Sequence, residues 1–340
     1  MVEFAGYELP VQYTGVIAEA RAVRQGAGMF DVSHMARLRF SGPQALSFLE
    51  WATTNDVSKL GPGSGQYSLL PNAHGGTVDD IILYRTNEEE FKMVVNAANH
   101  QKDLAHLRAL PMEGVIMEDY SESTAMIAVQ GPAAVGLVAR LCDQPDKVTG
   151  APFFGAFDAR VAQVPCFLAR SGYTGEDGYE IQCPADRAEE LWRQFVEAGA
   201  VPCGLGARDT LRVEAGLPLY GHELTDDMSP IAAGLGWVVS KTKEFLGSGA
   251  INAARAAGTP SKLQGIRLDS KRVAQPGALV TVSGSRVGSV SSGAYSPLLD
   301  CGVAFAFLDS GVALETPCEV DFRGKPEPGK VVAKRFFKRA

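Results

Sequence analysis

The feature that most constrains this chain is a local pattern that occurs twice. Residues 37–52 read as an alternating strand (Arg37-Leu38-Arg39-Phe40), a Ser41-Gly42-Pro43 joint, and a helix with Ala45, Leu46 and Leu49 on one face. Residues 126–141 run the same way: Met126-Ile127-Ala128-Val129, then Gly131-Pro132, then a helix with Val135, Val138 and Ala139 on one face. Glycine supplies the turn, and proline suits the first helical position because that N–H would lack a partner anyway. Such a joint is common enough to recur by chance. Taken as a true repeat, it predicts two related α/β subdomains. With 340 residues and roughly 100–200 residues per domain, two or three domains are expected.

Between the two joints, residues 80–85 and 91–96 are apolar runs flanking a polar turn at 86–90, which predicts a hairpin. Asp186 followed by Glu189 predicts a capping box, and Ala188, Leu191, Trp192, Phe195 and Val196 form a helical core stripe ended by Gly199. From about Lys243 glycine, serine and valine rise, and short strands recur at 265–268, 278–282, 287–291, 303–307, 318–322 and 330–334. Strands at that spacing predict a small all-β barrel or sandwich. The domain boundary is placed at 242–249, giving a body over 1–242 and a last domain over 243–340.

Composition removes several classes of function. Hydrophobic residues make up 46% and charged residues 21%, ordinary for a folded chain. No apolar run nears the ~20 residues that span a bilayer. The net charge of -7 argues against a nucleic-acid binder. Residues 321–340 are the exception, with seven Lys or Arg against Asp321 and Glu327; a solvated strand and tail is preferred there over a site for an anionic partner. The six cysteines are far apart without a CxxC pair, and the five histidines lack HxH or HExxH spacing. Buried thiols in a reducing cytoplasm and no metal centre are therefore expected.

Nucleotide fingerprints are absent. Gly61-Pro62-Gly63-Ser64-Gly65 has neither GxGxxG spacing nor a P-loop lysine, and no GxSxG elbow occurs. What remains is a dispersed polar set. Gly75-Gly76-Thr77-Val78-Asp79-Asp80 places two acids at the mouth of an apolar strand, and only one of them can enter a cleft because strand neighbours face opposite ways. On sequence alone, the preferred reading is that both are solvated at a turn. The loop Ser171-Gly172-Tyr173-Thr174-Gly175-Glu176-Asp177-Gly178 enters a strand with Tyr179-Glu180-Ile181; its glycines permit close approach to a ligand or an ordinary hairpin. Residues 204–216 read as a short helix closed by Gly216, with Arg208 and Arg212 one turn apart on the same face. A carboxylate, an anionic ligand or water must offset their repulsion.

Together these segments resemble a known family. Phe30-Asp31-Val32-Ser33-His34-Met35, the Gly-Gly-x-x-Asp-Asp strand, residues 171–181, residues 204–224 and Ser291-Ser292-Gly293-Ala294-Tyr295-Ser296-Pro297 stand in the order found in the aminomethyltransferases, the T-proteins of the glycine cleavage system. The resemblance covers nearly the whole chain; family members carry a short additional stretch before the segment matching Met1. It implies an α+β fold, a three-lobed cloverleaf of two interleaved α/β subdomains (the second over about 44–124) around a tetrahydrofolate site, plus a C-terminal β-barrel. It implies Tyr67, Asp80, Asn96, Tyr173, Glu180 and Arg208 around the folate, with Asp80 also catalytic; Asp79 and Arg212 are the alternatives. It further implies tetrahydrofolate as co-substrate and a lipoylated carrier, the H-protein, as partner. A methylene carbon would pass from the carrier's aminomethyl group to folate with release of ammonia. The alternatives on the same fold are a folate-dependent demethylase and a non-enzymatic folate-binding protein of iron–sulfur assembly. The latter carries a Lys-Gly-Cys-Tyr-type motif where this chain has Ser171-Gly172-Tyr173.

Overall fold

A computed structural model of the chain describes residues 1–339. Both strand-to-helix joints form: Ala36–Ser41 leads into the helix Ala45–Ala52, and Thr124–Gln130 into Ala134–Leu141. Gly42 and Gly131 both sit at positive φ (113° and 130°). A β-carbon there would lie 2.5 Å from the Gly114 carbonyl oxygen and 2.3 Å from that of Gly26, so both joints require glycine.

The two strands belong to different sheets. One sheet has the order Ala156–Val161, Val164–Ala169, Gly178–Pro184, Thr124–Gln130, Gly28–Asp31, Val201–Pro202; only the last pair is parallel. The other is fully antiparallel, in the order Ser64–Pro71, Thr77–Arg85, Glu90–Val95, Ala36–Ser41, Ile116–Asp119. Its centre is the hairpin read from sequence, with Arg85 opposite Phe91. All its strands come from residues 36–119, a segment inserted between two strands of the first sheet that pair with each other.

The sheets face one another, and side-chain alternation sorts their residues into layers. Ile127 and Val129 turn outward, toward Leu137, Val138, Leu191 and Phe195 of the covering helices. Ile81 and Leu83 do the same toward Leu104 and Leu107. Met126, Ala128, Tyr84 and Phe167 point into a layer shared by both sheets. Strands buried on both faces lose polar alternation and read as continuous apolar runs.

The last six strands close a barrel: Ser261–Leu268, Cys301–Asp309, Ser285–Ser296, Leu279–Val282, Pro317–Asp321 and Pro326–Val332, which returns to pair with the first. The 291–297 motif fastens this barrel to the body. Ser291 and Ser292 donate to Glu223 (2.5 and 2.7 Å), and Ser296 donates to Glu214 (2.5 Å). All six cysteines are free and buried. Among the described residues no helix is long and apolar enough to cross a membrane.

Three local expectations need correction. The capping box does not form. A short 3-10 turn, Ala185–Arg187, takes up Asp186, and the helix Ala188–Glu197 starts without a side-chain cap. On that helix Val196 is solvent-exposed, while Leu191 and Phe195 carry the burial. The basic tail is not simply solvated either: the Phe336 and Phe337 amides donate to the Glu214 carbonyl, Phe336 stacks on Phe305, and Arg24 covers Phe337 at 3.7 Å. The basic side chains other than Lys334 stay exposed, while the two partly buried aromatics anchor the tail.

Candidate active site

The strand Thr77–Arg85 resolves the two acids by register. Asp79 pairs with Leu70 and faces the helix His100–Arg108; Asp80 pairs with Leu69 and faces the other side, with Tyr67. Neither is merely solvated at a turn. Asp79 is 0% exposed and accepts from the Asn96 amide (2.9 Å), Asn96 Nδ2 (2.9 Å) and Asn99 Nδ2 (2.5 Å). Asp80 accepts from Tyr67 Oη at 2.9 Å and from Asn96 Nδ2 at 2.8 Å. Asn96 follows directly on the strand Glu90–Val95, so hairpin register places it opposite both acids.

Electrostatics separate this acid from an ordinary surface carboxylate. Burial pushes Asp80 up to about 7, and the Asp79 charge adds to that rise; the Tyr67 and Asn96 donors oppose it. Burial likewise raises Asp79. A carboxyl group poised near neutrality can release or take up a proton without a large driving force.

The second wall belongs to the six-stranded sheet and the helix Leu205–Ala215. Glu180 pairs with Ala128 and therefore faces the layer between the sheets. Tyr84 donates to Ser171 (3.0 Å) and Ser171 to Glu180 Oε2 (2.5 Å), a hydrogen-bond chain from one sheet to the other. Among the described residues no donor meets Glu180 Oε1, and Arg208 forms neither a hydrogen bond nor an ion pair. The Arg208 guanidinium lies 4.9 Å from the Tyr173 ring centroid; burial lowers its pKa, and the Glu180 charge opposes that shift. Tyr173 anchors its hydroxyl on the Pro218 carbonyl and feels the charges of Arg212, Asp80 and Arg208. All six sequence-derived candidates thus converge, with open hydrogen-bonding capacity on Glu180 and Arg208.

Arg212 has a different neighbourhood. It is 1% exposed and fully engaged by Asp209 (2.8 Å), Glu223 (3.0 Å) and Ser292 (2.8 Å), tying the body to the barrel. The repulsion between the two arginines is relieved by separate carboxylates. The glycines of the 171–178 loop also serve packing. A β-carbon on Gly172 would lie 1.8 Å from the Gln130 side chain, and one on Gly178 would lie 2.1 Å from the Val129 carbonyl.

Sequence reasoning missed Trp237, which is 68% exposed and stacks on Tyr67 at 5.9 Å. It also missed Asn99 and Asp103 behind Asp79. The one available signal was an acid, Asp103, four residues before Leu107 on the apolar face of a helix. A separate groove of ≈ 710 Å³, bordered by Arg39, Lys92, Phe167 and Gln182, contains none of the six candidates. Of its cations, Arg39 is engaged by Glu118 and Lys92 by the Phe167 ring at 3.9 Å, while the Arg160 side chain is exposed to solvent.

Comparison with known proteins bears on the family and the fold. The family model for the GCVT N-terminal domain matches residues 1–243, and that for the glycine cleavage T-protein C-terminal barrel domain matches 262–338. The aminomethyltransferase of Thermus thermophilus is 50% identical over 329 residues, 96% of this chain and 92% of the relative. That of Deinococcus deserti is 46% identical over 342 residues, covering 99% and 93%. The crystal structure of glycine cleavage system aminomethyltransferase T from Bartonella henselae superposes with a TM-score of 0.91 at 34% identity, covering 99% of this chain and 94% of that one. A shared barrel, a shared body and identity along the full length leave one conclusion: the chain belongs to the aminomethyltransferase (glycine cleavage T-protein) family.

Proposed function

We propose that this chain transfers the methylene carbon of an aminomethyl group, carried on the lipoyl sulfur of a carrier protein, to tetrahydrofolate. The carbon–sulfur and carbon–ammonia bonds break, and bonds to N5 and N10 of the folate form. The two N–H protons lost by folate balance the thiol and ammonia released, and the product is 5,10-methylenetetrahydrofolate.

Family membership supports the reaction, and the contrast between the two walls supports the roles. Glu180, with Oε1 open, suits the adjacent ring N–H and amino donors of a pterin, which a carboxylate accepts as a fork. Tyr173 and Tyr67 offer flat faces to a heterocycle. Arg208 balances the charge of Glu180 or meets an anionic group of the ligand. Asp80, oriented by Tyr67 and Asn96, would face the reacting nitrogens and take or return their protons. No covalent enzyme intermediate is required, so positioning supplies much of the rate. The six buried free thiols suit a reducing compartment such as the cytoplasm.

The single observation that carries the reading is Asp80, a half-buried acid held by two neutral donors on the strand face it shares with Tyr67. The test is ammonia and methylenetetrahydrofolate formation from aminomethylated lipoyl carrier, run beside methyl and sulfonium donors. Turnover with a methyl donor alone would replace the proposal with a demethylase. Calorimetry with 5-formyltetrahydrofolate tests the folate site itself, and no saturation at millimolar ligand would remove it.

A further inference from the structure

The helix His100–Arg108 turns one carboxyl group, Asp103, onto the face that packs against the sheet, beside Leu104 and Leu107. Asp103 is 0% exposed, and among the described residues neither of its oxygens meets an N–H or O–H donor. The group within hydrogen-bonding reach is the Asp79 carboxyl. Two ionised carboxylates repel, whereas one proton between them makes the contact attractive. Asp79 already accepts three N–H donors and so keeps the charge. The proton therefore resides on Asp103. Lys102, the cation next to it on the same helix, is drawn away to Tyr220 and Asp226.

The geometry points to Asp103 as a positioning residue: as a neutral acid it donates to Asp79 and thereby fixes the Asn96 carboxamide that faces Asp80. The inference rests on the proposed role of Asp80 in the reaction. Asn96 Nδ2 is shared between Asp79 Oδ1 at 2.9 Å and Asp80 Oδ1 at 2.8 Å. Without the Asp103 proton, Asp79 would claim more of that donor and repel the Asp80 anion more strongly. Both effects raise the pKa of Asp80. Burial itself pushes Asp103 up to about 11, with the Asp79 charge acting in the same direction. The other titratable groups facing the pair are Asp80 and Tyr67 from the sheet, Lys102 from the helix, and Tyr220 and Asp226 from the segment beyond Pro218.

The experiment compares Asp103→Ala with Asp103→Asn. Asp103→Ala should lower kcat about tenfold or more, through misplacement of Asn96, and move the acid limb of kcat/KM to higher pH. Asp103→Asn keeps a neutral donor and should restore both. If Asp103→Asn instead moves the acid limb to lower pH, the wild-type residue is a charge and the inference is overturned. Loss of thermal stability in Asp103→Ala without movement of the limb would overturn it as well, leaving a packing role. A readout independent of folate chemistry covers the case in which Asp103→Ala does not fold. The folded pKa of Asp103 is raised above its unfolded value of ~4. Its stabilising contribution is therefore complete below that value and declines as pH rises toward about 11. Asp103→Asn should gain stability relative to wild type steadily between neutral and alkaline pH. Parallel stability curves for the two proteins would refute the inference whether or not the site binds folate.

Discussion

The two walls of the site use the same chemical group in opposite surroundings. On the five-stranded sheet, Asp80 lies among other carboxyl groups, with Asp79 beside it and Asp103 behind, and its direct partners are the neutral donors Tyr67 and Asn96. On the six-stranded sheet, Glu180 sits near Arg208, with Arg212 one helical turn further on. The first environment holds a proton near neutrality; the second provides compensating positive charge. In the proposed reaction, environment rather than residue type would divide the tasks of proton handling and binding.

That division can be broken by mutation, and the largest effect belongs to the first wall. Asp80→Asn preserves shape but removes the titrating group, so kcat should fall ~10²–10⁴-fold while the affinity for 5-formyltetrahydrofolate changes little. An equal drop in affinity would assign Asp80 to binding and erase the contrast. Next comes Arg212→Ala, which strips Glu223 of its buried cation. Denaturant unfolding should register a loss of ~3–5 kcal/mol, against a small change for Arg208→Ala, whose deficit should appear in folate binding. Similar losses of stability in both would mean that the two arginines share one role. Glu180→Ala should weaken folate binding by ~1.5–3 kcal/mol, measured by calorimetry on folded protein, and an unchanged Kd would remove Glu180 from the ligand.

The smallest expected effect sharpens the comparison by pH. If the Asp80 carboxylate is the working form, kcat/KM should rise as pH passes through about 7. The stability term of the same group has the opposite sign. Its folded pKa lies above the unfolded value of ~3.9, so its contribution is complete below that value and is lost as pH climbs through about 7. Activity and stability should therefore diverge across this window. Tyr67→Phe deletes a donor to the carboxylate and should shift the acid limb upward by up to about one unit, corresponding to ~0.5–1.5 kcal/mol. A downward shift would show that Tyr67 does not act on Asp80.

Much of this architecture was legible because it is local. The repeated joint announced itself through glycine and proline, and all six barrel strands were readable from their turn spacing. The carboxylate choice was only half legible. Strand alternation stated that Asp79 and Asp80 must face apart, but the preference for Asp80 came from family resemblance, and the direction each acid faces appears only in the pairing with Leu69 and Leu70. The capping box failed because nothing in residues 186–189 reveals that the chain arrives already wound in a 3-10 turn. Trp237 was invisible since its partner Tyr67 lies far away in sequence.

The sequence by itself determined the elements, the kinds of surface they bury and the identity of the six polar residues worth watching. The first two follow from periodicity and turn chemistry, which act over a few residues; the six polar residues follow from the resemblance to a known family. Tertiary structure decided what surrounds each of those residues. It placed Arg212 between Asp209, Glu223 and Ser292 and left Arg208 open beside Tyr173. It also set Asp103 against Asp79, and neutral donors rather than a cation against Asp80. Protonation and charge depend on burial and on neighbours brought together across the fold, so no local reading of this chain could have supplied them.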